Sequence, residues 1–206
     1  MNGPVIVIIA LLVLVAVLLV ILLRRRRPAP ASAPAGPQDP FRDAGEDALR
    51  GDPRTLKAGD LVEIRGTTYT VRGTLTYREQ SWSWAEHMLD DSGGGPKVWL
   101  SVEEDPDLEL SLWREVPGAT VLPGPQSVDF DGRRYTKDDS GKAKFVSTGT
   151  TGLSATGTAK YVDYEAKDGA LLSFESYAGP GEDDKWEVGR GETLTRAEVR
   201  VWSQGG

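Results

Sequence analysis

The chain predicts an all-β fold: antiparallel strands in two pseudo-repeated units packed as a sandwich or barrel-like body, preceded by one N-terminal transmembrane helix and a Pro-rich linker. Three observations carry this. Residues 4–23 are apolar without a single charge, prolines crowd the next stretch, and from Leu56 onward apolar and polar residues alternate with little helical periodicity.

Twenty apolar residues at about 1.5 Å each span about 30 Å, the thickness of a hydrocarbon core. A soluble helix would carry a polar stripe, and this run has none. No Lys or Arg precedes it, and Arg24, Arg25, Arg26 and Arg27 follow at once. By the positive-inside rule these membrane-flanking arginines stay in the cytoplasm, so the expected topology is single-pass at the plasma membrane with the C-terminal body cytoplasmic. A secretory signal would need its positive charge before the apolar stretch. The membrane segment with its basic stop is residues 1–27, and its partner is membrane lipid.

The linker occupies 28–55 and holds six of the thirteen prolines, Pro28, Pro30, Pro34, Pro37, Pro40 and Pro53. Proline offers no amide donor and favours extended geometry, so the stretch reads as a solvated spacer. Asp43 to Leu49 has the pattern of a brief helix too short to persist alone. Charge divides near here: residues 1–50 hold six Arg and four acids (net +2), leaving 18 basic and 27 acidic residues (net −9) beyond. An acidic body above a basic collar is repelled by anionic lipid and does not suit nucleic acid.

In the body, Tyr69, Val71, Leu75 and Tyr77 are expected on one strand face, opposite Thr70, Arg72, Thr74 and Thr76. Val62 and Ile64 form the preceding strand; Trp82 to Leu89, Val98 to Val102 and Leu108 to Trp113 form three more. A second set repeats the order. Gly66 to Thr70 answers Gly132 to Thr136 at an offset of 66, and Trp84 to His87 answers Tyr161 to Tyr164 at 77. Leu100 to Glu103 answers Leu172 to Glu175 at 72, and Trp113 answers Trp186 at 73. Two β units, 56–118 and 119–206, follow, with 56–118 and 125–202 as the repeating parts. Each is expected to cover the other's sheet and edges.

The segments LKAGDLVEIRGTTYTVRG, SWAEHMLDD, VWLSVEED and LELSLW resemble the bacterial domain-of-unknown-function family 4178, over roughly residues 56–202. The anchor and linker look like those of actinobacterial members. The resemblance implies a fold and no activity. Family members are often encoded near membrane-stress and polyamine-synthase-like genes, which the resemblance offers as a hint about partners.

Composition excludes much of chemistry. With no Cys and one His, thiolate, iron–sulfur and multi-histidine metal sites are ruled out, as are cysteine nucleophiles and most hydrolase triads. No catalytic, cofactor or metal residue is nominated. The candidate binding residues are Glu86, Asp163, Trp82 and Trp84. Trp82, Trp84, Glu86 and Met88 share a strand face, with His87 on the other, so Glu86 sits among aromatic neighbours. Burial there would raise its pKa; structural hydrogen bonds from backbone or Arg are the competing reading, and Asp163 repeats the acid in the second unit. The acidic runs at 103–109 and 182–184 lack calcium-loop spacing, and Asp129 to Gly132 reads as a hairpin turn. The Ser/Thr/Gly-rich stretch 147–158 breaks the repeat and is a candidate ligand loop without a Walker lysine.

The expected function is a non-catalytic protein-binding or scaffolding module that holds a protein partner at the inner membrane face, with no cofactor. The alternative is a small-ligand sensor or enzyme for a polyamine-like or other cationic metabolite, using Glu86 or the 147–158 loop. A deep pocket lined by both Glu86 and Asp163 would favour the alternative.

Overall fold

The structure, a computed structural model, describes residues 42–104, 106–179 and 181–204. The apolar run 4–23, Arg24 to Arg27 and linker residues 28–41 lie outside the described residues. Among the described residues no helix is long and apolar enough to cross a membrane.

Helix α1 (Arg42–Arg50) opens the described part. A Glu46–Arg50 ion pair of 2.7 Å, one turn apart, braces it. It ends at Gly51, whose φ of +74° lets its amide return to the Asp47 carbonyl at 2.8 Å. A 3-10 turn (Pro53–Thr55) follows, capped by the Asp52 carboxylate, which accepts from the Arg54 amide at 2.9 Å. Both are fastened to the body: the Arg196 guanidinium donates to Asp47 Oδ1 at 3.1 Å and to the Gly51 carbonyl, and Arg54 pairs with Glu104 at 3.1 Å. The last part of the segment read as linker is therefore folded. Tertiary ion pairs hold a helix that its own length would not.

Eleven antiparallel strands follow: β1 (Leu61–Ile64), β2 (Thr67–Glu79), β3 (Trp82–Asp90), β4 (Val98–Glu104), β5 (Leu108–Glu115), β6 (Ser127–Phe130), β7 (Arg133–Gly149), β8 (Thr156–Ala166), β9 (Ala170–Ser176), β10 (Glu187–Leu194) and β11 (Val199–Trp202). Eight of them close into a barrel in the order β2-β3-β4-β5-β10-β9-β8-β7, sealed by β7 against β2. Two four-stranded meanders, one from each half of the sequence, meet at the β5–β10 and β2–β7 seams, so the ring takes strands from both halves. β1 with β11 extends one side and β6 the other.

The two halves share two devices. The β1–β2 turn at Arg65-Gly66 (φ +52° and +83°) and the β6–β7 turn at Asp131-Gly132 (φ +51° and +76°) are both two-residue turns with positive φ at each centre. Downstream, a bulge interrupts β2 between Val71 and Gly73, and another interrupts β7 between Lys137 and Asp139. Each inserts one residue, Arg72 or Asp138, at the offset of 66 seen in the sequence.

The bulges correct one expectation. An extra residue moves every later side chain to the opposite face. Tyr69 and Val71 lie outside the barrel, whereas Leu75 and Tyr77, paired with Glu86 and Trp84, point into it. The four do not share one face.

A second expectation is corrected by the alternation on β4 and β5. Leu100, Val102, Leu110 and Leu112 are buried on the outer side of the barrel, in a cluster with Val62, Ile64, Val199 and Val201 of β1 and β11. Tyr164, Leu172 and Phe174 do likewise beside Val128 and the 116–121 segment. The halves face each other across the lumen with their polar sides, not their apolar ones. A third cluster, Leu75, Tyr77, Ala143, Phe145 and Ala159, fills part of the lumen. Trp113 and Trp186, matched in the sequence, occupy unlike places: Trp113 is on the lumen face of β5, and Trp186 precedes β10 against the second apolar cluster.

Candidate functional site: an acidic aromatic lumen

The unfilled part of the barrel is a cavity of about 660 Å³, within the range of small-molecule sites. Strand alternation decides its lining. Trp84 and Glu86 reach it from β3, Trp99, Ser101 and Glu103 from β4, and Ser111 and Trp113 from β5; Tyr161 and Asp163 come from β8, Ser173 and Glu175 from β9. Register sets Glu86, Ser101 and Ser111 side by side on β3, β4 and β5, and Asp163 beside Ser173 on β8 and β9. Eleven of the described lining residues are Asp or Glu, four are Trp, and none is Lys, Arg or His.

The walls are held by ring packing. Tyr77 stacks on Trp84 with centroids 4.9 Å apart, and Trp84 meets Tyr161 edge-on at 5.7 Å. Phe145 stands edge-on to Tyr177 at 5.6 Å. Glycines make room for the rings: a Cβ at Gly157 would meet the Phe145 ring, and one at Gly191 would meet the Trp113 indole.

Two groups of carboxylates are wired through tyrosines. In the inner group the Tyr77 hydroxyl donates to Glu86 Oε2 at 3.3 Å and meets the Tyr177 hydroxyl at 2.8 Å; Tyr177 reaches Glu175 Oε2 at 2.8 Å. In the outer group Tyr161 donates to Glu79 at 2.7 Å and lies 3.3 Å from Asp139. The exposed residues Gln80, Ser81 and Trp82, on the β2–β3 turn and its exit, form the mouth with Asp138 to Ser140. Trp82 is 40% exposed, and its indole N–H donates to Glu103.

Enclosure shifts the acids upward. Burial first, then the charges of Glu175 and Asp163, pushes the Glu86 carboxyl well above its usual range. Burial foremost brings Glu175 to about 7, with Asp163 and Glu187 adding, and Tyr177 and Lys97 opposing. Asp163 rises to about 6, again chiefly through burial. The partial exposure these three retain is to the lumen they line.

The structure thus brings Glu86, Asp163, Trp82 and Trp84 to one cavity, the first, third and fourth from β3 and Asp163 from β8. Glu86 takes hydrogen bonds from the Trp84 and Tyr77 side chains, not from backbone or Arg. The 147–158 segment is not at the cavity. It ends β7, turns, and begins β8, with the Ser147 and Thr151 hydroxyls 2.6 Å apart and Thr151 bonded to the Leu153 amide at 3.2 Å. Its hydroxyls brace a hairpin. His87 lies on the outer face of β3, 1% exposed, with Nδ1 2.9 Å from the Thr74 hydroxyl and no hydrogen-bond partner for Nε2 among the described residues. Sequence reasoning did not nominate Tyr77, Tyr177, Glu175, Trp99 or Trp113. Glu175 was within reach, since the repeat matches it to Glu103.

Among the described residues no group of three or more His, Asp or Glu side chains is arranged to hold a metal ion. Asp129 is engaged by Arg134 at 2.6 Å, and Asp184 by Lys160 at 2.8 Å.

A family model described as "Domain of unknown function (DUF4178)" matches residues 57–196. Uncharacterized proteins of Mycobacterium bovis (strain ATCC BAA-935 / AF2122/97) and Mycobacterium tuberculosis (strain ATCC 25618 / H37Rv) are each 36% identical over 181 residues, covering 85% of this chain and 84% of the relative. No solved structure matches the chain.

Proposed function

Because the chain belongs to the DUF4178 family, described as a domain of unknown function, we propose its function from the lumen: the barrel binds a small organic cation of the amine or quaternary ammonium class. One observation carries this, a cavity walled by four tryptophans and eleven carboxyl groups with no Lys, Arg or His among its described lining. Three of these acids, Glu86, Asp163 and Glu175, are the enclosed ones, and enclosing carboxylates without an ion-pair partner is costly; Lys97 pairs instead with Glu115 and Glu187. A cation restores that balance, and the indole and phenol faces attract its positive charge while packing on its carbon skeleton. A bare metal ion would use the oxygens but not the rings. Packed walls also lower the ordering cost of binding.

The protein-docking alternative needs an exposed aromatic surface. Trp82 provides part of one, but its indole is engaged by Glu103, and Trp84 is turned into the lumen. The small-ligand reading is therefore preferred.

The uncharged run at 4–23 and Arg24 to Arg27 support a single-pass tether that leaves the barrel on the cytoplasmic side of the plasma membrane. The matched turns and bulges support reading the body as two copies of one unit.

Calorimetric titration of the full chain in detergent micelles with choline, putrescine and spermidine, against K⁺ and Mg²⁺, tests the binding. The expected result is saturable binding of an organic cation at millimolar levels or below. Glu86→Gln should weaken it about tenfold, or about 1.4 kcal/mol. Binding of Mg²⁺ alone, or of none of the cations, would overturn the reading.

A further inference from the structure

Resting on that reading, we propose that the lumen is a proton–cation exchange site: the Glu86–Tyr77–Tyr177–Glu175 chain holds one proton on its carboxyl groups when empty and releases it to bulk water as the organic cation binds.

With both glutamates ionised the chain is one hydrogen short. Three close contacts link the chain: Glu86 to Tyr77 at 3.3 Å, Tyr77 to Tyr177 at 2.8 Å, and Tyr177 to Glu175 at 2.8 Å. Each needs one hydrogen to be attractive, and a phenol supplies one apiece. An ionised carboxylate supplies none. With both glutamates ionised, two hydrogens serve three contacts. One oxygen pair is then left facing lone pair to lone pair, inside a site where an unmade hydrogen bond is costly. A single carboxyl proton closes the chain. It can reside on Glu86, with the hydroxyls donating toward Glu175, or on Glu175, with both reversed. The shared proton belongs to the pair.

The surroundings favour the proton and then its loss. Asp163 on β8, together with Glu187 on β10, adds negative charge beside the pair, while Lys97 before β4 is the opposing cation. Lys97 is also shared, lying 3.6 Å from Glu187 and 3.9 Å from Glu115. Proton and organic cation compensate the same charge, so the entry of one lowers the site's hold on the other. For a monovalent cation such as choline the exchange is neutral overall: one carboxyl O–H bond breaks, its proton passes to water, and the carboxylate left behind faces the ligand's cation; a dication such as putrescine displaces the same proton and brings one further positive charge to the acidic lumen.

The test is calorimetry of the full chain with choline and putrescine at pH 7, repeated in phosphate and in HEPES, whose ionisation heats differ and neither of which is a net cation. Close to one proton released per cation bound is expected, and affinity should fall by close to tenfold from pH 7 to pH 6. Glu175→Gln places a permanent amide donor at the end of the chain, and should abolish the release while leaving the barrel folded. An infrared band from a protonated carboxyl at pH 7, bleached on adding the cation, reads the same event without a substitution. Cation binding with identical heats in both buffers, or with no change in the band, overturns the exchange and leaves the binding function standing. Failure of both probes to bind overturns the two together.

Discussion

Gly191 on β10 lies directly opposite Trp113 on β5, and the Trp113 indole covers the place where a Cβ at 191 would stand. The seam joining the two halves of the barrel is also where a lumen wall is set. Gly191→Ala should push the indole into the cavity. Overpacking of this kind costs about 1–3 kcal/mol. Chemical denaturation should register that loss, and calorimetry should show organic-cation binding weakened more than the stability loss alone explains.

The other seam has its own close approach. A Cβ at Gly73 would stand 2.7 Å from the Thr150 carbonyl carbon and 2.8 Å from the Thr148 oxygen, both backbone atoms that cannot step aside. Gly73 is the first lumen-side residue after the β2 bulge, paired with Gly149 of β7. Gly73→Ala should destabilise the barrel by about 2 kcal/mol. Hydrogen exchange should show the opening concentrated in 73–78 and 144–149, the paired β2–β7 segments.

Stability contributed by the buried acids should fall as the pH rises to neutrality and just past it. In the folded barrel the Glu175 carboxyl titrates at about 7, against about 4.3 for an unfolded glutamate. The native state therefore binds more protons between those values, and stability declines as pH rises through that window. The melting temperature of the cation-free protein should be higher at pH 6.5 than at pH 8. Glu175→Gln should lessen the difference, with Glu86 and Asp163 supplying what remains; an equally steep profile in that variant would assign the effect elsewhere.

His87 acts in the opposite sense. Burial holds its imidazole down to about 4, so the unfolded chain, with a value near 6.5, takes up the proton first. Its contribution is lost as pH falls from about 6.5 towards 4. His87→Gln leaves a hydrogen-bonding partner for Thr74 and should shift the acid limb of the melting profile to lower pH.

Arg196 fixes the start of the folded body. Its guanidinium is 14% exposed and bonds Asp47, the Gly51 carbonyl and the Val199 carbonyl, the last at 2.7 Å. Arg196→Ala should cost about 1–3 kcal/mol in lost charged hydrogen bonds. Amides 45–51 should exchange much faster, and cation affinity should be unchanged, because none of these groups lines the lumen.

The sequence by itself determined the strands, and Trp82, Trp84 and Glu86 as one face of β3. Alternation is a local property, set by the geometry of a single extended chain. It also matched the two halves at the hairpin turns, because Gly66 and Gly132 mark positive-φ positions that Cβ-bearing residues resist. Tertiary structure alone decided which side of each strand became the inside. That choice depends on how the sheet closes, and both long strands change sides at bulges that periodicity does not reveal. It likewise decided that Tyr77 meets Tyr177, 100 residues away, and so joined two glutamates into one site. Contacts across a closed ring follow from register and curvature, which no short window of residues encodes.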